Sequence, residues 1–226
     1  MNFDELAIYF EENWGKEYSE IYLQTLHNRK VWDHLNKLSK DDCRNVVLKF
    51  LNDFRCRISY KCSSELMNQC KLAFPYFEAL KYEKLSTINF YKTVVVNNKK
   101  MRIIEVIIEI FSILSKVTRI KATATSKMMH MTNYGLFVMW DEGIAENYGF
   151  SNDEKGHGYI NFLMKMKIEL KDLEKELGSL SEEKMASHTF VKDFPPTQLL
   201  DIYNFGRRDN WSSSINFKSP ILTHLK

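Results

Sequence analysis

The segment Lys121–Phe150, KATATSKMMHMTNYGLFVMWDEGIAENYGF, predicts two short helices separated by a buried extended run, and the other predicted elements form a helical frame around it. Thr125 or Ser126 is suited to start or lie near the start of the first helix, which carries lysine, methionine and histidine side chains. The Asn-Tyr-Gly sequence at 133–135 is typical of a turn and predicts the end of this helix.

A tryptophan-aspartate pair marks the junction with the second helix of this segment. The apolar run Leu136–Trp140 predicts a short buried stretch. Asp141 follows at a position where a side-chain carboxylate can cap the helix Glu142–Tyr148, and Gly149 is suited to close that helix. The sequence therefore places a carboxylate at a helix N-terminus beside buried apolar residues.

The segment before it, Met101–Val117, predicts the central helix of an all-α, multi-helix fold. Its nearly unbroken run of isoleucine, valine, leucine and phenylalanine leaves little polar surface, which indicates burial on most sides. The stretch Thr87–Asn98 contains the β-branched run Val94–Val96, and it is the only part whose composition favours a strand. A lone strand would have little to pair with, so we expect an almost wholly helical protein.

The remaining helices are predicted from apolar spacing and from end signals. Ser39, followed by Asp42, is a helix start, and Pro75 either begins a helix or bends one. The further predicted helices cover residues 2–15, 17–38 with a break near 27–28, 63–70, 159–178 and 197–204. We therefore divide the chain into an N-terminal helical region (1–96), a helical region with the central segment (97–205) and a loosely attached tail (206–226), with the helical regions as one compact unit or two lobes.

Composition excludes some classes of function and leaves others open. The 226 residues are 44% hydrophobic and 27% charged, as in an ordinary globular protein that buries a core. The net charge of +3 is too small to indicate nucleic-acid binding, although a local basic face can still supply phosphate contacts. The four cysteines form no CxxC pair and have no histidine at close spacing, so we expect no zinc site. We also expect no other metal and no cofactor.

The sequence also predicts where the protein is found. Acidic residues stand near the N-terminus, where a signal peptide needs a basic start and an apolar block. No apolar run reaches membrane-spanning length without a charge. We therefore expect a cytoplasmic protein without a membrane partner.

A basic segment, Arg55–Lys61 (RCRISYK), contains Tyr60 and is a candidate for contacts with nucleic acid. Arg55 and Arg57 are suited to phosphate contacts and the tyrosine to stacking on a base. The alternative is a solvated connection between helices. If the protein binds DNA, we expect this segment and the second basic segment, Arg119–Lys127, to lie on one face.

The central segment also carries a motif. The order Ser126-Lys127-x-x-His130, Leu136-Phe137, Met139-Trp140-Asp141-x-x-Ile144 and Tyr148-Gly149 resembles a pattern in uncharacterised microbial helical proteins, S-K-x-L-H followed by L-F-P-x-W-D. Those proteins distantly resemble the helix-hairpin-helix (HhH-GPD) base-excision DNA glycosylases, in which an apolar segment ends in an aspartate before a helix, commonly V-D-x-H-V. The later sequence Leu199-Leu200-Asp201-x-Tyr203-Asn204 resembles the closing helix of the microbial proteins.

This resemblance implies a glycosylase-like helical bundle, a DNA partner and a candidate hydrolase or lyase activity in DNA repair. It implies that Asp141 stabilises the sugar cation or activates the nucleophile, with Lys127 and His130 positioning or protonating groups. Trp140 would stack on an extruded base, and Arg119, Lys121, Arg55 and Arg57 would contact the nucleic acid.

Each residue also has a purely structural interpretation. Asp141 can act only as a helix cap, Lys127 can be an exposed helix lysine, His130 can join two helices, and Trp140 can belong to the core. The glycosylase hairpin is expected to read L-P-G-[VI]-G, whereas Arg119–Ala124 contains no glycine. The alternative functions are therefore a non-catalytic helical module that binds nucleic acid or protein, and a structural cluster of buried polar side chains.

Overall fold

The computed structural model describes residues 6–7, 10, 15–150, 156–179 and 194–210 of the chain. The predicted helix over residues 2–15 lies mostly outside these ranges, and so do residues 211–226 of the predicted tail. The described part of the chain is mostly helical with one small two-stranded sheet, which confirms the all-α prediction.

The structure describes nine helices in these ranges. They are α1 (Gly15–His27), α2 (Arg29–Asp33), α3 (a continuous run of Lys40–Asp42, Cys43–Leu48 and Lys49–Asp53, π-helical in its middle part), α4 (Ser63–Ala79), α5 (Ile103–Ser115), α6 (Ala122–Thr132), α7 (Glu142–Asn147), α8 (His157–Gly178) and α9 (Pro196–Asn210). Short 3-10 turns cover Leu35–Lys37 and Tyr60–Cys62. The predicted break near residues 27–28 is confirmed, since it separates α1 from α2.

The central helix of the fold is α5, as predicted from its composition. It packs against α4, α6 and α8. Its fully buried side chains include Val106, Ile107, Ile110 and Phe111, each 0% exposed. Because three neighbouring helices cover it, α5 is the element on which the other helices are positioned.

A β-hairpin precedes α5, and it corrects the prediction of a strand without a partner. Strand β1 (Thr93–Val96) pairs in antiparallel register with β2 (Lys99–Arg102), so that Thr93 lies opposite Arg102. Asn97 and Asn98 form the turn with positive φ angles of 49° and 63°, which asparagine tolerates better than most residues do. The helix therefore begins at Ile103 and not at Met101.

Helix α6 begins at Ala122, so Thr125 and Ser126 lie near its start, as predicted, and both are fully buried. Two other helices extend further than predicted. Helix α4 continues through Pro75 to Ala79, so this proline does not begin a helix. Helix α9 continues to Asn210, past the predicted end, because burial of its apolar face and of Gly206 keeps the chain helical.

The start of α8 depends on a glycine that packs against the central helix. Gly156 has φ of 81°, in the left-handed region, and precedes the first residue of α8. A Cβ atom at this position would lie 2.9 Å from side-chain atoms of Phe111. A larger residue would therefore be strained and would also push α8 away from α5.

None of the helices in the described ranges combines the length and the apolar composition that a membrane crossing requires.

Candidate functional site

Helix α6 and the extended run after it form one wall of the candidate site. The run from Leu136 to Trp140 is buried throughout, as predicted. Ser126 Oγ donates a hydrogen bond to the Trp140 carbonyl oxygen over 3.1 Å and accepts one from the Trp140 backbone N–H over 3.2 Å. This pair of hydrogen bonds fixes the Trp-Asp junction against the middle of α6.

Lys127, on the next position of α6, lies half-buried beside the end of α3. Its Nζ donates a hydrogen bond of 2.9 Å to the Phe54 carbonyl oxygen and lies 5.5 Å from the centroid of the Phe54 ring. Phe54 follows the last residue of α3, where the negative end of the helix dipole favours a cation. The C-terminus of α3 and an aromatic face therefore position the ammonium group.

Asp141 caps α7, as predicted. Its Oδ1 accepts a hydrogen bond of 2.9 Å from the Ile144 backbone N–H, and the side chain is partly exposed. The N-terminus of a helix stabilises negative charge, so the carboxylate is held at a favourable position.

A cavity of about 270 Å³ opens between these elements. Three predicted site residues, Lys127, Trp140 and Asp141, line it together with the predicted nucleic-acid contact Arg55. The other lining residues come from α1, the end of α3, α6, the run before Asp141, α7 and α9; they are Tyr18, Phe54, Thr123, Met139, Ile144, Asp201 and Phe205. The cavity therefore combines an ammonium group, a guanidinium group and two carboxyl groups with an apolar surround.

His130 does not line this cavity. It is 0% exposed, with Nδ1 2.7 Å from the Phe137 carbonyl oxygen and Nε2 2.8 Å from the Tyr22 hydroxyl. Because a carbonyl oxygen only accepts, Nδ1 carries the proton, and Nε2 of the neutral ring accepts the hydrogen bond from Tyr22. Burial lowers the pKa of His130 to about 4. The geometry matches the interhelical interpretation of this histidine.

Trp140 lines the cavity but belongs to the core. It is 1% exposed and packs on Tyr159 and Phe162, with ring centroids 5.4 and 5.3 Å away. Much of the surface of its ring is therefore in contact with other aromatic side chains. The tryptophan therefore forms part of the rigid wall of the cavity.

The predicted basic residues divide between the cavity and the surface. Arg55 lines the cavity, with its guanidinium 5.4 Å from the centroid of the Tyr18 ring. Arg57, Arg119 and Lys121 are exposed and do not line it. Arg55, Arg57 and Arg119 have positive φ angles of 62°, 52° and 68°, a conformation that non-glycine residues seldom adopt.

Asp201, on α9, lines the cavity although the sequence interpretation gave it no role. It is only 4% exposed, and neither carboxyl oxygen has a hydrogen-bond partner of ordinary geometry among the described residues. Burial raises the pKa of Asp201 well above its usual range, whereas the Met139 backbone N–H and the Lys127 ammonium act in the opposite direction. A buried polar group without a partner costs about 1–3 kcal/mol, so this carboxyl group needs an explanation.

One feature of the sequence points to Asp201. It is an acidic residue among Leu199, Leu200, Ile202 and Tyr203, all of which are buried. A carboxylate surrounded by apolar residues on a buried helix indicates a partner or a site. The contribution of Tyr18 and Phe54 to the cavity carries no such signal, because it depends on how α1 and α3 pack on α6.

The function of the cavity is not indicated by a metal site in the described residues or by similarity to a known protein. In the described ranges, no group of three or more histidine, cysteine, aspartate or glutamate side chains is placed to hold a metal ion. The sequence matches no protein-family model, and comparison with curated proteins and with solved structures finds no significant similarity. The interpretation of the site therefore depends on its own geometry.

The capping role of Asp141 can be tested by two substitutions. We expect Asp141→Ala to lower the free energy of unfolding by about 0.5–2 kcal/mol, because the Ile144 N–H loses its acceptor. Asp141→Asn should change it by less than about 0.5 kcal/mol, since an amide oxygen caps nearly as well. Urea denaturation followed by circular dichroism measures both values.

Glu146→Ala, at an exposed position of the same helix, is the control for a change that leaves the cap intact. An asparagine variant as unstable as the alanine variant would contradict the capping account. It would indicate that the negative charge of Asp141 itself stabilises the fold.

Proposed function

We propose that the cavity accepts a base extruded from DNA, and that this helical protein is a relative of the helix-hairpin-helix base-excision DNA glycosylases that cleaves the bond between a base and its sugar. The observation that carries this proposal is the meeting of Lys127 and Asp141 in one cavity, although they lie on different elements. A cleft lined by an amine and a carboxylate is suited to acid-base chemistry or to stabilising a cation.

The size and lining of the cavity support a ligand of one heterocyclic ring system. Its volume of about 270 Å³ is near the lower end of the range of roughly 300–1,000 Å³ that is common for small-molecule sites. Tyr18, Phe54 and Phe205 provide aromatic surface, and the charged groups provide a few polar contacts. An extruded base presents the same combination of a flat apolar face and polar edges.

The proposed reaction uses the charge of Asp141. As the bond between the sugar C1′ and the base nitrogen breaks, positive charge develops on the sugar, and a carboxylate nearby stabilises it. A water molecule adds its oxygen to C1′ and loses one proton, and the base leaves with a proton. Lys127 is placed to orient a phosphate or to protonate the departing base.

The packing of two basic segments supports a DNA-binding face beside the cavity. The segments 55–61 and 119–127 are joined near both ends: Lys127 donates to the Phe54 carbonyl oxygen, and the Thr118 backbone N–H donates to Glu65 Oε1 over 3.2 Å. Arg55 and Arg119 are exposed on these segments. Exposed cations on two segments that are in contact are suited to phosphate contacts.

The connection between α5 and α6 further supports the proposal. It makes a short turn between two helices, and Arg119 takes the left-handed conformation there without being a glycine. The helix-turn-helix arrangement is therefore compatible with a sequence that lacks the expected glycines.

A non-catalytic nucleic-acid-binding or protein-binding module is the second candidate. Two observations favour it. Oδ1 of Asp141 is engaged in capping α7, and the segment 119–124 has no glycine through which a backbone could approach a phosphate closely.

A cleavage screen on DNA duplexes that carry different damaged bases tests the proposal. We expect the wild-type protein to release at least one base, and we expect Asp141→Asn to fold normally but lose at least about 100-fold in rate, because the stabilising charge is removed. Asp172→Asn, at an exposed position of α8, is the matched control and should retain the wild-type rate.

DNA binding measured in the same series separates the two candidates. A binding module predicts affinity that falls steeply with salt, without base release from any duplex. Base release that is unchanged in Asp141→Asn would refute the assigned role of this carboxylate. The absence of both cleavage and salt-dependent binding would refute the nucleic-acid function altogether.

A further inference from the structure

The proposed reaction leaves one cavity group unused, the carboxyl group of Asp201. Both oxygens lack hydrogen-bond partners among the described residues, and the side chain is almost fully buried in the wall of the cavity. Native proteins seldom leave such a group unpaired. A ligand in the cavity would be the missing partner.

The cationic and imidazole side chains near Asp201 do not hydrogen-bond to its carboxyl group. Lys127, which lines the same cavity, donates a hydrogen bond to the Phe54 carbonyl oxygen. His130 Nδ1 lies 3.7 Å from Asp201 Oδ2, but its proton is directed to the Phe137 carbonyl oxygen at 2.7 Å. The Met139 backbone N–H favours the ionised form, but burial outweighs it and raises the pKa of Asp201, so the protonated form suits this position.

A protonated carboxyl group presents an O–H donor and a carbonyl acceptor side by side. The complementary partner carries an acceptor next to an N–H donor. Amino-substituted nitrogen heterocycles have such an edge, formed by a ring nitrogen and the adjacent amino group.

We infer that Asp201 binds the ligand directly, by pairing both carboxyl oxygens with the edge of a nitrogen heterocycle that carries a ring-nitrogen acceptor beside an amino donor. Adenine and cytosine are bases of this class. The inference rests on the proposed function, because it assigns a hydrogen-bonding edge to the base that enters the same cavity.

The placement of Phe205 supports this assignment. It lies four positions after Asp201 on α9, so the two side chains are on one face of the helix, and both line the cavity. Phe205 can contact the flat face of a ring while Asp201 pairs with its edge. One helix therefore supplies both elements that recognise a planar heterocycle.

Binding of free adenine to the full-length protein tests the inference, measured by calorimetry or by ligand-observed NMR. The control probe is 6-methylpurine, which has the same shape but carries a methyl group in place of the amino group. We expect wild-type protein to bind adenine roughly tenfold more tightly than 6-methylpurine, because the control cannot donate the second hydrogen bond.

Two substitutions of Asp201 separate hydrogen bonding from shape. Asp201→Leu fills the space without polar atoms and should reduce the affinity for adenine by roughly tenfold or more. Asp201→Asn keeps one donor and one acceptor, so it should bind adenine within roughly threefold of wild type. Thr125→Val is the matched control, because Thr125 is also buried without a partner among the described residues but does not line the cavity.

The pH dependence of adenine binding reports the protonation state of the Asp201 carboxyl group. The titratable groups that act on Asp201 or lie close to it are Lys127 and His130 on α6, Tyr22 on α1 and Tyr159 on α8. Tyr18, Arg55 and Asp141 line the same cavity. All seven are present in Asp201→Asn, so a pH effect that is absent from this variant belongs to Asp201. We expect wild-type affinity for adenine to fall as pH rises from about 5.5 to 8.5, while the Asn variant stays constant.

The results distinguish this inference from the proposed function. Equal binding of adenine and 6-methylpurine, wild-type affinity in Asp201→Leu, or affinity that rises with pH would each overturn the assignment of Asp201. Base release from DNA alongside such a result would leave the proposed function standing. Adenine binding that depends on Asp201, without cleavage or DNA binding, would support the assignment and refute the DNA function.

Discussion

Ile107→Asp should destabilise the protein by about 3 kcal/mol or more, because it places an unpaired charge in the centre of the core. Ile107 is 0% exposed on α5, the helix that α4, α6 and α8 cover. The neighbouring buried positions of α5 are isoleucine, valine, phenylalanine and leucine. The introduced carboxylate therefore has to be protonated or to open the packing of several helices.

Urea denaturation gives the free energy of unfolding of wild type and variant. Ile168→Asp is the matched control, because it makes the same exchange on α8 at a position that is 50% exposed. We expect it to cost less than about 1 kcal/mol, which is the scale of helix propensity. Similar losses in the two variants would show that burial on α5 is not the cause, and the assignment of α5 as the central helix would then be wrong.

Acidification should remove about 3 kcal/mol of stability through His130 alone. Burial lowers the pKa of His130 in the folded protein to about 4, below the usual value of 6.5. Between these two values the unfolded chain binds a proton that the folded protein does not, so stability falls as pH falls. The stability that depends on a neutral His130 is fully present above about pH 6.5 and is lost progressively as pH falls toward 4. Its size follows from the difference of about 2.5 between the two pKa values.

The measurement compares the pH dependence of unfolding of wild type and His130→Gln. The glutamine variant should be less stable at neutral pH, but the decline attributed to residue 130 should be absent from it. Asp201 changes the pH dependence of stability in the opposite direction, because a raised pKa favours the folded protein as pH falls. Wild type and His130→Gln both contain Asp201, so its effect cancels in the difference between them. His34→Gln, at an exposed position, controls for the exchange of an imidazole for an amide. Parallel pH profiles of wild type and His130→Gln would contradict the linkage.

The parts of the fold that local sequence determines were predicted well. The apolar composition of α5 identified the central helix, and the capping position of Asp141 identified the start of α7, because burial on all sides and helix capping both leave signals within a few residues. The break between α1 and α2 and the buried run before Asp141 were also predicted from signals within a few residues.

The errors came from contacts that a local pattern does not contain. The strand at 93–96 was expected to lack a partner, but its partner follows directly after the Asn97–Asn98 turn and has the basic sequence KKMR, which gives no strand signal. Thr125 and Ser126 lie near the start of α6, as predicted, but the local pattern does not show that tertiary packing buries both.

The candidate site was predictable only in part for the same reason. Lys127, Trp140 and Asp141 come from one segment, and the structure brings them to one cavity together with Arg55. His130 was predicted as a site residue with them, but its environment depends on Tyr22, which is 108 positions away. Asp201 enters the cavity from α9, and only the packing of that helix shows it.

The contacts of Tyr22 and Arg29 with α6 have a consequence for how the chain unfolds. Tyr22 donates a hydrogen bond to His130 inside the core, and the Arg29 guanidinium donates to the carbonyl oxygens of Met131 and Thr132 at the end of α6. Separating α1 and α2 from α6 would leave buried polar atoms on both sides without partners. We therefore expect α1, α2 and α6 to open together when the protein unfolds.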